Sequence, residues 1–99
     1  MKITHYELSS LADKDLEDVF DYTLEEFGLD QAISYLQSIE KVLQQLIVNP
    51  DLGRERPDIR TGLRSFPKGS HVIFYRIQTD VLKVVRVLHG SRDVLRFLE

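Results

Sequence analysis

Apolar residues in the first half of the chain recur at spacings of three and four, the pattern of helices that bury one side. Ser9 and Ser10 are suitable N-caps for the first helix, and Asp30 for the second. Gly28 is expected to end the first helix and Pro50 the second. The short break between the two runs predicts an antiparallel hairpin. The apolar positions are Leu16, Val19, Phe20, Thr23, Leu24 and Phe27, then Ala32, Tyr35, Leu36, Ile39, Val42, Leu43 and Leu46.

After residue 50 the pattern changes to short apolar runs separated by turn residues, which is typical of strands. Residues 51–60 are predicted to be a polar connection, and the tetrapeptides 67–70 and 78–81 to be loops of a β-meander. A short C-terminal element at 94–98 is expected to add little to the core. The predicted strands are residues 3–8, 62–66, 71–77 and 82–89.

The order β-α-α-β-β-β, with helices and strands in separate parts of the chain, predicts the α+β class. We expect an N-terminal strand, a two-helix antiparallel hairpin packed on a small antiparallel β-sheet, and a short C-terminal element. The chain has 99 residues, so residues 1–99 are expected to form a single domain.

If the residues on either side of each four-residue loop pair directly with each other, the register of the sheet is set. It places Leu63 opposite Phe74 and Phe74 opposite Val85, on an apolar face that suits the helices. The other face then carries Arg64 and Arg86 in one row. We expect this mixed face either to be covered by the C-terminal segment or to bind an acidic or extended partner. A slip of one residue would exchange the two faces.

Charge is divided unevenly along the chain. Residues 1–50 hold three Lys/Arg and ten Asp/Glu, whereas residues 51–99 hold ten Lys/Arg and six Asp/Glu, for a net charge of −3. The basic half could meet nucleic acid or an acidic protein surface. The pI near 5.6 argues against a dedicated DNA-binding domain.

Composition narrows the possible chemistry. The sequence contains no cysteine, which excludes disulfides, thiolate metal sites and cysteine nucleophiles. No apolar run approaches the ~20 residues of a membrane span, and the N-terminus lacks a signal-peptide pattern, so we expect a cytoplasmic protein. The histidines, of which His71 and His89 are predicted on opposite faces of the sheet, lack metal-ligand spacing. We expect no metal and no cofactor.

One catalytic interpretation remains from the residues alone. Arg64, Arg86 and His89 lie within one meander, where arginines could stabilise a phosphorane-like transition state and a histidine could carry a proton. This would be metal-free RNA cleavage. The predicted register points His89 away from both arginines, which leaves the site incomplete.

Three segments carry a resemblance to a known family: NPDLGR at 49–54, the run from Ile59 to Ile77, and VRVLHGSRD at 85–93. Together they resemble the ParE toxins of the RelE/ParE superfamily of type II toxin–antitoxin systems. The similarity extends nearly from end to end, and the fold of that family agrees with the predicted one.

The resemblance implies a toxin that traps the DNA gyrase–DNA cleavage complex and needs no catalytic group to do so. A ParD-like antitoxin would neutralise it in a hetero-oligomer, with the antitoxin tail meeting Phe20, Tyr22 and Tyr35 along the hairpin. Neither a membrane partner nor sequence-specific nucleic-acid binding is implied. The residues expected to bind partners are Arg64, His71, Tyr75, Arg76, Arg86, His89 and Arg92.

The alternative within the superfamily is a RelE-like, ribosome-dependent mRNA endonuclease. By position, Arg64 and Arg86 resemble the two arginines of that site. The C-terminal tyrosine of RelE-like enzymes would fall at Val94 or Leu95, neither of which can transfer a proton. Glutamines stand where their second-helix lysines would be.

Overall fold

Two long helices lie on a five-stranded sheet in the computed structural model, which describes residues 2–91 and 94–98. The sheet order is β1-β5-β4-β3-β2, with β1 parallel to β5 and the other neighbours antiparallel. The predicted α+β class and order of elements are confirmed, although the sheet is mixed and β2 was not predicted. The elements are β1 (His5–Leu8), α1 (Ser10–Phe27), α2 (Leu29–Val48), β2 (Arg54–Glu55), β3 (Arg64–Lys68), β4 (His71–Gln78), β5 (Val81–His89) and α3 (Val94–Leu98), with a 3-10 turn at Pro50–Leu52.

The junction between the two helices depends on one glycine. The Ser9 hydroxyl caps α1 by accepting the N–H of Ala12 at 2.9 Å, as predicted. Gly28, at φ +91°, both ends α1 and precedes α2, because its N–H bonds the Leu24 carbonyl and its carbonyl accepts from Ala32. The predicted cap at Asp30 is therefore wrong, since α2 has already begun at Leu29.

The hairpin loops are tighter than predicted, with two residues between β3 and β4 and two between β4 and β5. Gly69, at φ +56°, makes the first of these turns possible. The shorter loop shifts the register of β3 by two residues, so Ser65 rather than Leu63 lies opposite Phe74. An even shift leaves both strands with their side chains on the expected common faces.

A β-bulge in β5 changes the second register. Tyr75 pairs with Val84, but Phe74 pairs with Arg86, which leaves Val85 as the extra residue. The register beyond the bulge is thus one residue away from the prediction, and every side chain from Arg86 onward changes its partner on β4.

The sheet has two apolar faces, and the assignment of the helices to the Phe74 face is wrong. The helices pack on Ile73, Tyr75 and Val84, whereas Phe74 faces the opposite side beneath Leu98 of α3. Because both faces carry apolar rows, strand alternation alone could not decide which one the helices would cover. The C-terminal element also contributes more than expected, since Leu98 is only 4% exposed.

Candidate functional site

A groove of about 1000 Å³ runs between α1 and the C-terminal end of β5, and we call it the α1 groove. Its rim carries three apolar side chains of α1 that remain in solvent: Leu11 is 56%, Tyr22 61% and Phe27 68% exposed. These residues flank the buried stripe of α1, so the helix is apolar over more of its surface than the fold covers. Exposed apolar side chains beside a concave surface are typical of a site for a protein partner.

An ion pair forms the floor of the groove. Arg86 donates from Nε to Oδ2 of Asp15 at 2.8 Å and from Nη2 to Oδ1 at 2.9 Å, and the two side chains are only 12% and 10% exposed. The same carboxylate accepts the N–H of Val87 at 2.9 Å, on a stretch of β5 beyond the last residue paired with β1. The bond to Asp15 raises the pKa of Arg86. The charge of Arg86 is therefore already neutralised within the fold.

Aromatic side chains line the end of the groove. The Tyr35 hydroxyl lies 2.7 Å from Nδ1 of His71 and 3.0 Å from the carbonyl oxygen of Lys68. The rings of His71 and His89 meet edge to face with centroids 5.4 Å apart. Their predicted placement on opposite faces is wrong, because the bulge moves His89 into the position directly opposite His71. Nδ1 of His89 also accepts the N–H of Ser91 at 3.2 Å.

The pKa of His71 is lowered by burial first and by the facing His89 second, while Asp15 acts in the opposite direction. Since the unfolded chain then binds more protons than the native state below pH ~6.5, stability should fall as the pH drops through that value. The loss of stability should level off once the pH is below the pKa that His71 has in the native state. The free energy of unfolding, measured with urea between pH 5 and 8, should depend less on pH in His71→Gln than in the unsubstituted protein. His5→Gln is the exposed control, and an unchanged slope in His71→Gln would contradict the assignment.

Arg64 belongs to a different cluster, on β3 beside β2 and outside the residues that line the groove. Its Nη1 donates to the Gly53 carbonyl at 2.7 Å, and its Nη2 lies 3.3 Å from a carboxylate oxygen of Asp51. The Tyr75 hydroxyl donates to the Pro50 carbonyl at 2.6 Å and accepts the N–H of Gly53 at 2.9 Å. Both side chains thus hold the segment that follows α2. Tyr75 is fully buried, and burial raises its pKa.

The two arginines do not form the predicted row. Arg64 pairs with Tyr75 and Arg86 with Phe74, which are successive residues of β4, so the arginines start from opposite faces of the sheet. Two guanidinium groups placed in this way do not converge on one phosphate. Arg76 lies exposed near the end of β4 away from the groove, and Arg92 lies outside the described residues.

Some groove residues were missed by the sequence analysis, although the sequence contains a signal for one of them. Asp15 lies on the buried stripe Ala12-Asp15-Val19-Thr23, and an acid inside an apolar repeat predicts a buried partner. Leu11 was not singled out, whereas Tyr22 and Tyr35 were. Phe27 was predicted on the buried stripe of α1, and this is wrong because it is 68% exposed. Phe20 lines a different concave surface, between α1 and α2.

The described ranges 2–91 and 94–98 contain no group of three or more His, Asp or Glu side chains that could hold a metal ion. No helix within these ranges is long and apolar enough to cross a bilayer.

Known toxins resemble this chain in sequence, and solved structures resemble it in fold. Toxin ParE1 of Mycobacterium tuberculosis is 40% identical over 96 residues, covering 96% of this chain and 98% of its own. Toxin ParE1 of Caulobacter vibrioides is 35% identical over 88 residues, covering 89% and 91%. Among solved structures, the chromosomal ParDE toxin–antitoxin system of P. aeruginosa matches with a TM-score of 0.74 at 18% identity, over 88% of this chain and 95% of that one.

A second solved structure with a similar fold is also a toxin–antitoxin complex. The toxin–antitoxin complex RelBE2 of Mycobacterium tuberculosis matches with a TM-score of 0.60 at 19% identity, over 90% of this chain and 99% of that one. At this identity the similarity shows a shared fold. The family profile described as ParE toxin of the type II toxin–antitoxin system parDE matches residues 6–94. The chain therefore belongs to the ParE toxin family of type II toxin–antitoxin systems.

Proposed function

We propose that this toxin acts without catalysis, by stabilising the cleaved state of the DNA gyrase–DNA complex. The observation that carries the proposal is that Arg64 and Arg86 start from opposite faces of the sheet and are each already in a separate ion pair. RNA cleavage would need cationic groups that converge on the reacting phosphate. A surface that prefers one state of gyrase needs only complementary contacts.

The second candidate is the RelE-like mRNA endonuclease. The adjacent imidazoles of His71 and His89 favour it, because two histidines in a groove could serve as general acid and base. Against it, the nearby Arg86 is paired with Asp15 and offers no free charge to a phosphate. Induction in cells separates the two functions. A DNA-damage response with filamentous cells supports gyrase, whereas immediate arrest of translation supports the endonuclease.

We further propose that a ParD-like antitoxin binds in the α1 groove. The groove offers exposed apolar side chains at its rim and satisfied polar groups at its floor, which suits an amphipathic segment that folds on binding. The Asp15–Arg86 pair is closed within the toxin, so most of the binding energy should come from the apolar rim.

Tyr22→Ala and Phe27→Ala should each weaken antitoxin binding by about 10- to 100-fold, because large aromatic anchors dominate such interfaces. Isothermal titration with purified antitoxin would measure this. Val48→Ala is the matched control, since Val48 is an exposed apolar residue outside the groove. Equal affinity of Tyr22→Ala, Phe27→Ala and Val48→Ala would place the antitoxin elsewhere.

A further inference from the structure

The charge asymmetry of the sequence becomes an asymmetry between two sides of the molecule. Helices α1 and α2 together hold nine Asp/Glu and two Lys. The sheet face turned away from them is basic, and we call it the outer sheet face. It comprises the side of the sheet that carries Phe74, together with residues 56–60 and α3, which pack against it.

The pairing of the strands places several Arg and Lys side chains on the outer sheet face. Arg54 pairs with Ser65, which pairs with Phe74, so all three share that face. Arg76 lies two residues beyond Phe74 on β4, and Lys83 of β5 lies directly opposite it in the strand register. Arg56 lies with its guanidinium carbon 5.8 Å from the centre of the Phe74 ring.

Most of these cations lack an internal counter-charge. Arg56 is paired with Asp58, and Lys83 with Glu7. The remaining cations are Arg54, Arg76, Arg60 and Arg96, and none of them forms an ion pair with a residue in the described part of the chain. The Nη2 of Arg60 donates to the Leu98 carbonyl, which leaves its charge uncompensated.

We propose that the outer sheet face binds the phosphate backbone of duplex DNA without sequence preference, an inference that rests on the proposed function. Guanidinium groups bind phosphate oxygens in bidentate geometry, and four arginines without an ion-pair partner in the described part of the chain can contact several phosphates at once. The acidic helices would be repelled by DNA, which fixes the orientation with the hairpin facing away. In the gyrase–DNA complex the toxin would thus contact the DNA through the outer sheet face, while the α1 side of the groove would face away from the DNA.

The net charge of −3 predicts weak binding to free DNA. The contact becomes effective when gyrase holds the DNA nearby, because the second contact is then intramolecular and benefits from a high local concentration. This explains how an acidic protein can use a DNA-binding face.

Fluorescence anisotropy with a labelled 20-base-pair duplex tests the face directly. The affinity of the toxin should fall with salt at a log–log slope of about −3 to −4, as for about four phosphate contacts. Arg54→Glu and Arg76→Glu should each weaken binding about tenfold and make the slope shallower by about 1. Lys41→Glu reverses one exposed cation of α2 and should remain within twofold of the unsubstituted protein. Equal losses in all three variants would overturn the proposal, as would tighter binding of single-stranded RNA of equal length.

A gyrase cleavage assay separates failure of this inference from failure of the proposed function. The double variant Arg54→Glu/Arg76→Glu should trap at least tenfold less cleaved plasmid while binding antitoxin normally, which also shows that it is folded. Trapping equal to that of the unsubstituted toxin would overturn the DNA contact and leave the gyrase proposal intact. An unsubstituted toxin that traps nothing would refute the gyrase proposal, and the anisotropy result alone would then decide the DNA-binding face.

Discussion

Replacing Asp15 by alanine is expected to destabilise the fold by about 3–5 kcal/mol, because the Arg86 guanidinium would remain buried without its counter-charge. The substitution also removes the acceptor of the Val87 N–H on β5. For a domain of this size the midpoint of thermal unfolding should fall by more than about 12 °C.

Urea unfolding of matched variants measures this effect. Asp18→Ala is the control on the same helix, because its pair with Lys14, at 3.3 Å, is exposed and should contribute little to stability. Adding Arg86→Met to Asp15→Ala should recover part of the loss, since no unpaired charge then stays buried. If Asp15→Ala and Asp18→Ala cost the same, the ion pair has no structural role.

The second large effect is expected at the C-terminal helix. Leu98→Ala should cost about 2–5 kcal/mol, because the side chain is 4% exposed and packs on the outer apolar core with Leu63, Phe74 and Leu88. Leu95 lies on the same helix but is 52% exposed, so Leu95→Ala should change stability by less than about 0.5 kcal/mol.

Chemical unfolding of Leu98→Ala and Leu95→Ala provides the comparison. A loss confined to Leu98→Ala means that α3 is part of the fold, and that truncating it would reduce toxicity through instability. Similar small changes in both variants would instead show that α3 contributes little to stability.

The helices could be predicted closely because their signals are local. The period of the apolar residues, the Ser9 cap and the positive φ of Gly28 each depend on a few neighbouring residues. The predicted strands were also placed within about two residues. The predicted cap at Asp30 was wrong, because Gly28 serves the end of one helix and the start of the next.

The arrangement of the sheet could not be predicted in the same way. The bulge at Val85 adds one residue to β5, and no pattern in the run LKVVRVLH marks where the pairing skips. That one residue decides whether His89 meets His71. Both sheet faces are apolar, so the strand pattern does not show which face the two long helices cover. The opposite face is covered in part by α3, which is distant in sequence.

The candidate site could be predicted only in part, because it depends on contacts between segments that are distant in sequence. Tyr22 was singled out only through the resemblance to ParE toxins, whereas the α1 groove exists only because β5 passes beneath α1. The partner of Asp15 lies 71 residues away along the chain, beyond what periodicity can reveal.

Incubation of purified toxin with gyrase, ATP and supercoiled plasmid tests the central proposal most directly. The expected result is an accumulation of linear, protein-linked plasmid that increases with toxin and disappears when antitoxin is added first. Unchanged supercoiling and no cleaved plasmid at any toxin concentration, together with cutting of mRNA on added ribosomes, would contradict it. His71 and His89 would then be the first residues to test as the acid and base of an RNA-cleaving site.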